Sequence, residues 1–140
     1  MMEGEAQRSH LLTAGVLLVV GIAAGAFGAH ALEGVLDDRG MVSYETASRY
    51  VLVMGAAVMG ASATGRVRGL VWVEVGVALF SISIFALLAG RFSGWTWVSW
   101  IGPVTPLGGL AMMVGWVLWT LQWRRPREQN GGKSEEKSDS

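Results

Sequence analysis

The stretch LLTAGVLLVVGIAAGAFGAHAL, residues 11–32, decides the fold because it contains no Asp, Glu, Lys or Arg. A helix rises about 1.5 Å per residue, so about 20 residues cross the roughly 30 Å hydrocarbon core of a bilayer. Lipid offers the backbone no hydrogen-bond partner, which leaves the helix as the structure for such a segment. Residues 11–32 are therefore predicted to be a transmembrane helix.

Three further segments are apolar over a comparable length, namely residues 44–64, 70–89 and 101–121. The whole chain of 140 residues is 51% hydrophobic and only 16% charged, whereas soluble domains carry about 25% charged residues. These observations predict an all-α integral membrane four-helix bundle across residues 11–121, with the lipid bilayer as its surroundings.

The second span, residues 44–64, is the least apolar of the four. Its helix is expected to start near Ser43, because serine is a favourable N-cap residue. Glu45 then lies in the first turn and Arg49 follows one turn later. This i, i+4 spacing predicts an ion pair between the two side chains.

The distribution of basic residues predicts the orientation. Four spans place residues 1–10, 65–69 and the C-terminal tail on one side, and of the 11 Lys and Arg residues only Arg39, Arg49 and Arg91 fall on the other. Cytoplasmic segments carry an excess of Lys and Arg, so the N- and C-termini are both predicted to be cytoplasmic. Tryptophan favours membrane interfaces, and the candidates are Trp95, Trp97 and Trp100 outside and Trp72 and Trp123 inside.

The two ends of the chain are predicted to lie outside the bilayer. Residues 1–10, including His10, form a short cytoplasmic flank, and residues 122–140 form a polar tail, expected to be disordered, in which Pro126 stops the helix. A cleaved signal peptide is the alternative for the start, because Arg8 precedes an apolar run. That run is longer than an h-region of about 7–15 residues, which favours a retained first span.

Small residues indicate where the helices pack, because helices in a bilayer associate through close backbone approach. The candidate packing positions are Gly21, Gly25, Gly28, Gly108, Gly109 and Gly115. Glycine is also simply common in membrane helices, which is the alternative reading. Met112, Trp116, Trp119 and Trp123 form a stripe on the fourth helix, typical of a packing surface or, less often, of a lipid or flat cofactor site.

Four ordered motifs carry a family resemblance: GAFGAHAL at 25–32, YETASRY at 44–50, LFSISIFALL at 79–88 and TPLGGLAMMVGW at 105–116. Together, over about residues 11–118, they resemble the small bacterial membrane proteins of the YgdD and YwdK type, the domain-of-unknown-function 423 family. The resemblance implies a four-helix protein of the bacterial inner membrane and brings no established enzymatic activity. The chain departs from the family pattern at Met54, where members tend to carry histidine, and at Ile82, where they tend to carry glycine.

One polar cluster is predicted at the outer mouth of the bundle. Counting along the helices places together His30, Glu45, Arg49, Tyr50 and Thr105. Ionisable residues inside a membrane are candidates for function, so a proton-sensitive gate or a solute site is one interpretation. The structural interpretation is that Glu45 pairs with Arg49 and that His30 caps carbonyls at the end of its helix.

Three other polar residues lie within the spans. Glu74 is near the cytoplasmic face and is expected to pair at the interface, the alternative being a proton-relay carboxylate. Ser81 and Ser83 lie near mid-bilayer, where hydroxyls line a pore or, more commonly, bond to a helix backbone.

Catalysis is not predicted. The chain has no cysteine and two histidines, His10 and His30, without metal-ligand spacing, so no catalytic residue, metal or cofactor is expected. Nothing indicates nucleic-acid binding. The function expected is a non-catalytic structural, assembly or stress-related membrane component, packing with itself or a membrane-protein partner; the alternative is a solute or ion channel formed by a homo-oligomer.

Overall fold

The computed structural model describes residues 2–32, 34–94 and 100–124, and their regular secondary structure is entirely helical. The helices are α1 (Met2–Ala31), α2 (Asp38–Ala63), α3 (Leu70–Ser93) and α4 (Val104–Leu121). A 3-10 turn, Gln122–Arg124, continues from α4. The all-α prediction is confirmed for these residues.

Two helices start earlier than predicted. Residues 2–10, predicted to be a cytoplasmic flank, form the first turns of α1. The N-cap of α2 is Asp37, whose carboxylate accepts a hydrogen bond from the Gly40 N–H at 2.9 Å. The predicted N-cap, Ser43, lies inside the helix and donates its hydroxyl to the Arg39 carbonyl at 2.9 Å. Polar residues at a helix end favour headgroups and water, so a helix can extend beyond its apolar segment. A prediction made from the apolar segment alone therefore places the helix start too late.

The predicted tail differs at its start, because residues 122–124 are helical rather than disordered. Residues 125–140, for which disorder was predicted, lie outside the described residues. Trp95 and Trp97 of the predicted outer tryptophan belt also lie outside them, whereas Trp100 is described and 86% exposed.

The turn between α2 and α3 depends on glycine. Gly69, at the N-cap of α3, has a φ of 90°, which L residues with a side chain rarely adopt. A Cβ atom there would lie 2.5 Å from the Gly115 carbonyl oxygen of α4. Gly69 is therefore required both by its own backbone and by the approach of α4.

The helices pack in chain order, α1 against α2, α2 against α3 and α3 against α4. The residue contacts between neighbouring helices show that each pair is antiparallel. Among the described residues α1 makes only slight contact with α3 and no extensive contact with α4. The start of α1, the end of α2, the start of α3 and the end of α4 thus share one end of the molecule, here called the His10 end. The opposite termini form the Tyr44 end.

The buried interior has two neighbouring clusters. One contains Ala14, Val58, Ala61, Leu70 and Val73 and is covered by Trp116 and Trp119 among others. The second contains Val51, Val77 and Met112. Three helices are represented in each cluster, so the interior holds the row of helices together by packing.

Many large apolar side chains face outward, including Leu12 at 64% and Val19 at 68% exposure on α1 and Leu107 at 58% on α4. By length and composition three described helices are able to cross a membrane, namely Gly4–Ala31, Leu70–Arg91 and Val104–Leu121. α2 is not among them, since charged residues occupy its first half.

Candidate functional site

Tyr44 joins three helices at the Tyr44 end. Its hydroxyl donates to the Ala24 carbonyl of α1 at 2.8 Å, and its ring centroid lies 5.2 Å from that of Phe85 on α3. The ring rests on Gly28, where a Cβ atom would lie 2.5 Å from Tyr44 Cε1. The absence of a side chain at Gly28 therefore makes room for the ring.

A groove of about 260 Å³ runs along one side of Tyr44, between α1 and α2. The α1 wall is almost bare, because it consists of glycine and alanine. The α2 wall carries the polar groups. Its lining residues are Gly21, Gly25, Gly28, Ala29, Met41, Tyr44, Glu45, Ser48, Arg49 and Leu52.

Glu45 and Arg49 line this groove together, and both are exposed. The predicted ion pair between them is wrong. Among the described residues Arg91 and Asp37 form an ion pair at 3.8 Å, and His10 Nδ1 lies 2.9 Å from Glu74 Oε1, but Glu45 and Arg49 are not within 4.0 Å of each other. The two groove charges therefore stand one helical turn apart without direct contact.

A second cavity, of about 400 Å³, lies between α1, α2 and α3. Tyr44 and Ala24 line it, and apolar side chains make up the rest: Leu32, Leu36, Phe85, Leu88 and Ala89. None of the described residues that line it is charged. Tyr44 thus separates a polar groove from an apolar cavity.

The structure does not bring the other three predicted cluster residues into the groove. The ring of Tyr50 packs on Phe80 with centroids 4.6 Å apart, and Thr105 hydrogen-bonds Ser83 at 2.7 Å. His30 is exposed near the end of α1, and its side chain takes part in no hydrogen bond between described residues, so the predicted capping is absent there. Counting residues gave their depth along the helix but not the direction in which each side chain points.

Ser81 and Ser83 form hydrogen bonds to neighbouring helices. Ser81 Oγ donates to the Ala47 carbonyl of α2 at 3.2 Å. Ser83 Oγ lies 2.8 Å from the Phe80 carbonyl of its own helix and 2.7 Å from Thr105 Oγ1 of α4. Both serines are 2% exposed. Their hydroxyls are therefore used within the protein.

Four of the six predicted packing glycines lie at close contacts. A Cβ atom at Gly21 would meet the Leu52 backbone at 2.8 Å, and one at Gly28 would meet Tyr44. Gly108 and Gly115 similarly touch the backbone of α3. Gly25 and Gly109 differ, because a Cβ atom at either meets nothing within 4 Å.

Glu74 was expected to pair near the His10 end, but its partner, His10, was not predicted. His10 Nδ1 lies 2.9 Å from Glu74 Oε1, and these side chains are only 14% and 12% exposed. Gln7 Nε2, one turn away, donates to the Ser62 carbonyl at 2.9 Å. His10 therefore lies in a helix contact and not in an exposed flank. The signal was available, since Gln7, His10 and Ala14 share one helix face.

The tryptophan stripe of α4 packs against the α2–α3 turn. Trp119 Nε1 donates to the Arg66 carbonyl at 2.9 Å, and the Arg66 guanidinium lies 4.2 Å from the Trp123 ring centre. Arg66 Nη1 also donates to the Gln122 carbonyl at 2.7 Å. Met112, at the other end of the stripe, is buried.

Comparison with known proteins places these features in a family. Residues 24–109 match the family model described as "Protein of unknown function (DUF423)". The chain is 34% identical over 110 residues to the UPF0382 membrane protein YwdK of Bacillus subtilis, covering 73% of this chain and 83% of that protein. No solved structure matches.

Two staphylococcal relatives are similarly close. The UPF0382 membrane protein SERP0230 of Staphylococcus epidermidis is 31% identical over 109 residues, and SH2409 of Staphylococcus haemolyticus is 32% identical over 109 residues. Each match covers 71% of this chain and 82% of the relative. The family model includes Tyr44, Glu45 and Arg49 but ends before Trp116. The resemblance predicted from the four motifs is confirmed, and the chain belongs to the DUF423 family, whose members compared here are bacterial membrane proteins.

Proposed function

We propose that this protein is a four-span, non-catalytic component of the bacterial inner membrane that acts by packing with itself or with another membrane protein. The main support for the proposal is that the hydroxyl groups of the buried serines are hydrogen-bonded within the protein. Ser81 and Ser83 hydrogen-bond to α2, α3 and α4 instead of facing an open space. Hydroxyls that line a passage need access to water, and these two side chains have almost none.

The close glycine contacts support the same proposal. A channel of this size would be a homo-oligomer with glycine ridges at its interface. Gly21, Gly28, Gly108 and Gly115 already contact neighbouring helices of the same chain. These glycines are therefore occupied within one molecule and are not available for the oligomer interface that the channel alternative needs.

The position of α2 supports a fourth span. It is antiparallel to its neighbours α1 and α3 and packs between them, and both neighbours are able to cross a membrane. Its 26 residues would extend about 39 Å at about 1.5 Å per residue, enough for the hydrocarbon core. Its charged first half then lies toward the interface at the Tyr44 end.

The charges support cytoplasmic termini. Arg8, Arg66 and Arg68 lie at the His10 end, which is also where α4 ends. The Tyr44 end carries Arg39, Arg49 and Arg91, whereas eight of the 11 Lys and Arg residues fall in the segments that four spans place at the His10 end. Since the positive side faces the cytoplasm, the His10 end is proposed to be cytoplasmic.

Ion flux tests the packing role against the channel. The purified full chain, reconstituted in liposomes with an internal pH or potassium reporter, is expected to show no more flux than empty liposomes. Folding is checked by helical circular dichroism, and gramicidin added at the end shows that the reporter responds. Protein-dependent flux that Arg49→Ala abolishes would contradict the proposal.

A further inference from the structure

The groove between α1 and α2 has a geometry that suits an amphiphile. Its α1 wall is open at Gly25, where a Cβ atom would meet nothing within 4 Å, so a ligand can lie directly against the helix backbone there. Leu52 lies at the deep end of the groove, opposite Gly21, and Glu45 lies toward the Tyr44 end. The groove thus has an apolar floor and a charged rim.

The order of the two charges along α2 is specific. Arg49 lies one turn nearer the middle of the helix than Glu45, a difference of about 6 Å along the axis. α1 contributes no charged residue to the groove lining. A cation is therefore deeper than an anion, and neither is paired with the other among the described residues.

In a bilayer, an unpaired guanidinium at this depth is costly unless an anion meets it. The phosphate of a phospholipid is an anion at the same interface, and arginine binds phosphate through two parallel hydrogen bonds. The headgroup amine extends outward from the phosphate, toward the level of Glu45. The order of charges in a phosphoethanolamine headgroup therefore complements the order on α2.

We propose that the groove binds the headgroup of one phospholipid of the phosphoethanolamine type, with its phosphate on Arg49, its ammonium on Glu45 and the open helix backbone at Gly25 beside it. A phosphatidylglycerol headgroup lacks the cation that Glu45 would bind. A choline headgroup has no N–H to donate. The inference rests on the proposed function in one respect, namely that α2 crosses the bilayer with Glu45 at an interface.

Native mass spectrometry of the purified full chain tests the proposal, using detergent micelles containing equal amounts of phosphatidylethanolamine and phosphatidylglycerol. One phosphatidylethanolamine is expected to remain bound preferentially. Arg49→Gln should reduce that adduct about tenfold, the effect of losing about 1.4 kcal/mol of a charge-assisted contact. Arg39→Gln removes the same charge at the same end outside the groove lining, and it should leave the adduct unchanged.

A second pair of variants tests the groove itself. Gly25→Leu fills the groove, and its side chain starts in open space because a Cβ atom at Gly25 meets nothing within 4 Å; helical circular dichroism checks that the variant is folded. Gly109→Leu is the matched control on α4, because its Cβ atom is equally free. Lipid binding should be lost in the first variant and kept in the second.

Equal retention of the two lipids by the wild type, or full retention of phosphatidylethanolamine by both Arg49→Gln and Gly25→Leu, would overturn the proposal. Binding in micelles does not depend on membrane orientation. Failure here therefore differs from failure of the four-span proposal, which cysteine labelling measures independently.

Discussion

At the scale of single residues, the contact between Tyr44 and Gly28 joins α1 to α2 where Phe85 of α3 also meets the ring. Gly28 is among the packing positions expected from the sequence, and Tyr44 lies in a family motif, but the contact between the two residues was not predicted. Spacing along a helix gives the face on which a residue lies, whereas the partner depends on how the neighbouring helix is rotated.

Replacing Gly28 with alanine is expected to destabilise the protein by about 1–3 kcal/mol, because the added methyl group overlaps the Tyr44 ring. Unfolding in mixed micelles by increasing amounts of a denaturing detergent measures the change. Gly25→Ala, whose methyl group meets nothing within 4 Å, is the matched control and should not be destabilised. Equal stability of the two variants would show that the ring does not depend on the glycine.

The same comparison shows what residue spacing cannot predict. Gly25 lies one turn from both Gly21 and Gly28, yet it faces the open groove while those two contact α2. Gly109 and Gly108 differ in the same way on α4. Composition identifies a residue that permits close approach, but only the position of the neighbouring helix determines whether the approach occurs.

At the scale of helices, the apolar runs predicted some ends well and others poorly. The start of α3 at Leu70 and the end of α4 at Leu121 agree with the prediction. The start of α2 does not, because Asp37 and Ser43 are both good N-cap residues and the sequence offers no physical basis for choosing between them. The structure uses Asp37.

Removing the actual cap tests this assignment. Asp37→Ala is expected to cost about 1 kcal/mol, since it leaves the Gly40 N–H without its acceptor. It should also speed amide hydrogen exchange in the first turn of α2. Ser43→Ala, at the position predicted from sequence, should change neither quantity appreciably. The reverse ranking of the two variants would contradict the assignment.

A second prediction at this scale concerns the contact between α1 and α3. His10 and Glu74 connect two helices that otherwise touch only slightly. A double-mutant cycle with His10→Ala and Glu74→Ala is expected to give a coupling free energy of about 1 kcal/mol in detergent unfolding. The pair Arg91 and Asp37 is the control, since both side chains are exposed by 60% or more and should couple weakly. A coupling no larger than that of the control would contradict the assigned contact.

At the scale of the whole molecule, the sequence predicted the all-helical class and the family, and the structure and comparisons confirm both. It did not predict that Glu45 and Arg49 would be separated from Tyr50 and Thr105. Glu45 and Arg49 line the groove between α1 and α2, while the ring of Tyr50 packs on Phe80 of α3. Depth in the membrane follows from counting residues, but the direction around each helix follows only from packing.

The proposal depends most on α2 crossing the membrane with the His10 end in the cytoplasm. The chain contains no cysteine, so single cysteines introduced at the exposed positions Ser9, Asp38 and Ala63 can be labelled with a membrane-impermeant maleimide in intact cells. Asp38 and Ala63 are the first and last residues of α2. Position 38 is expected to react directly, and positions 9 and 63 only after permeabilisation. Labelling of position 63 in intact cells, or protection of position 38, would contradict a crossing by α2 in this orientation.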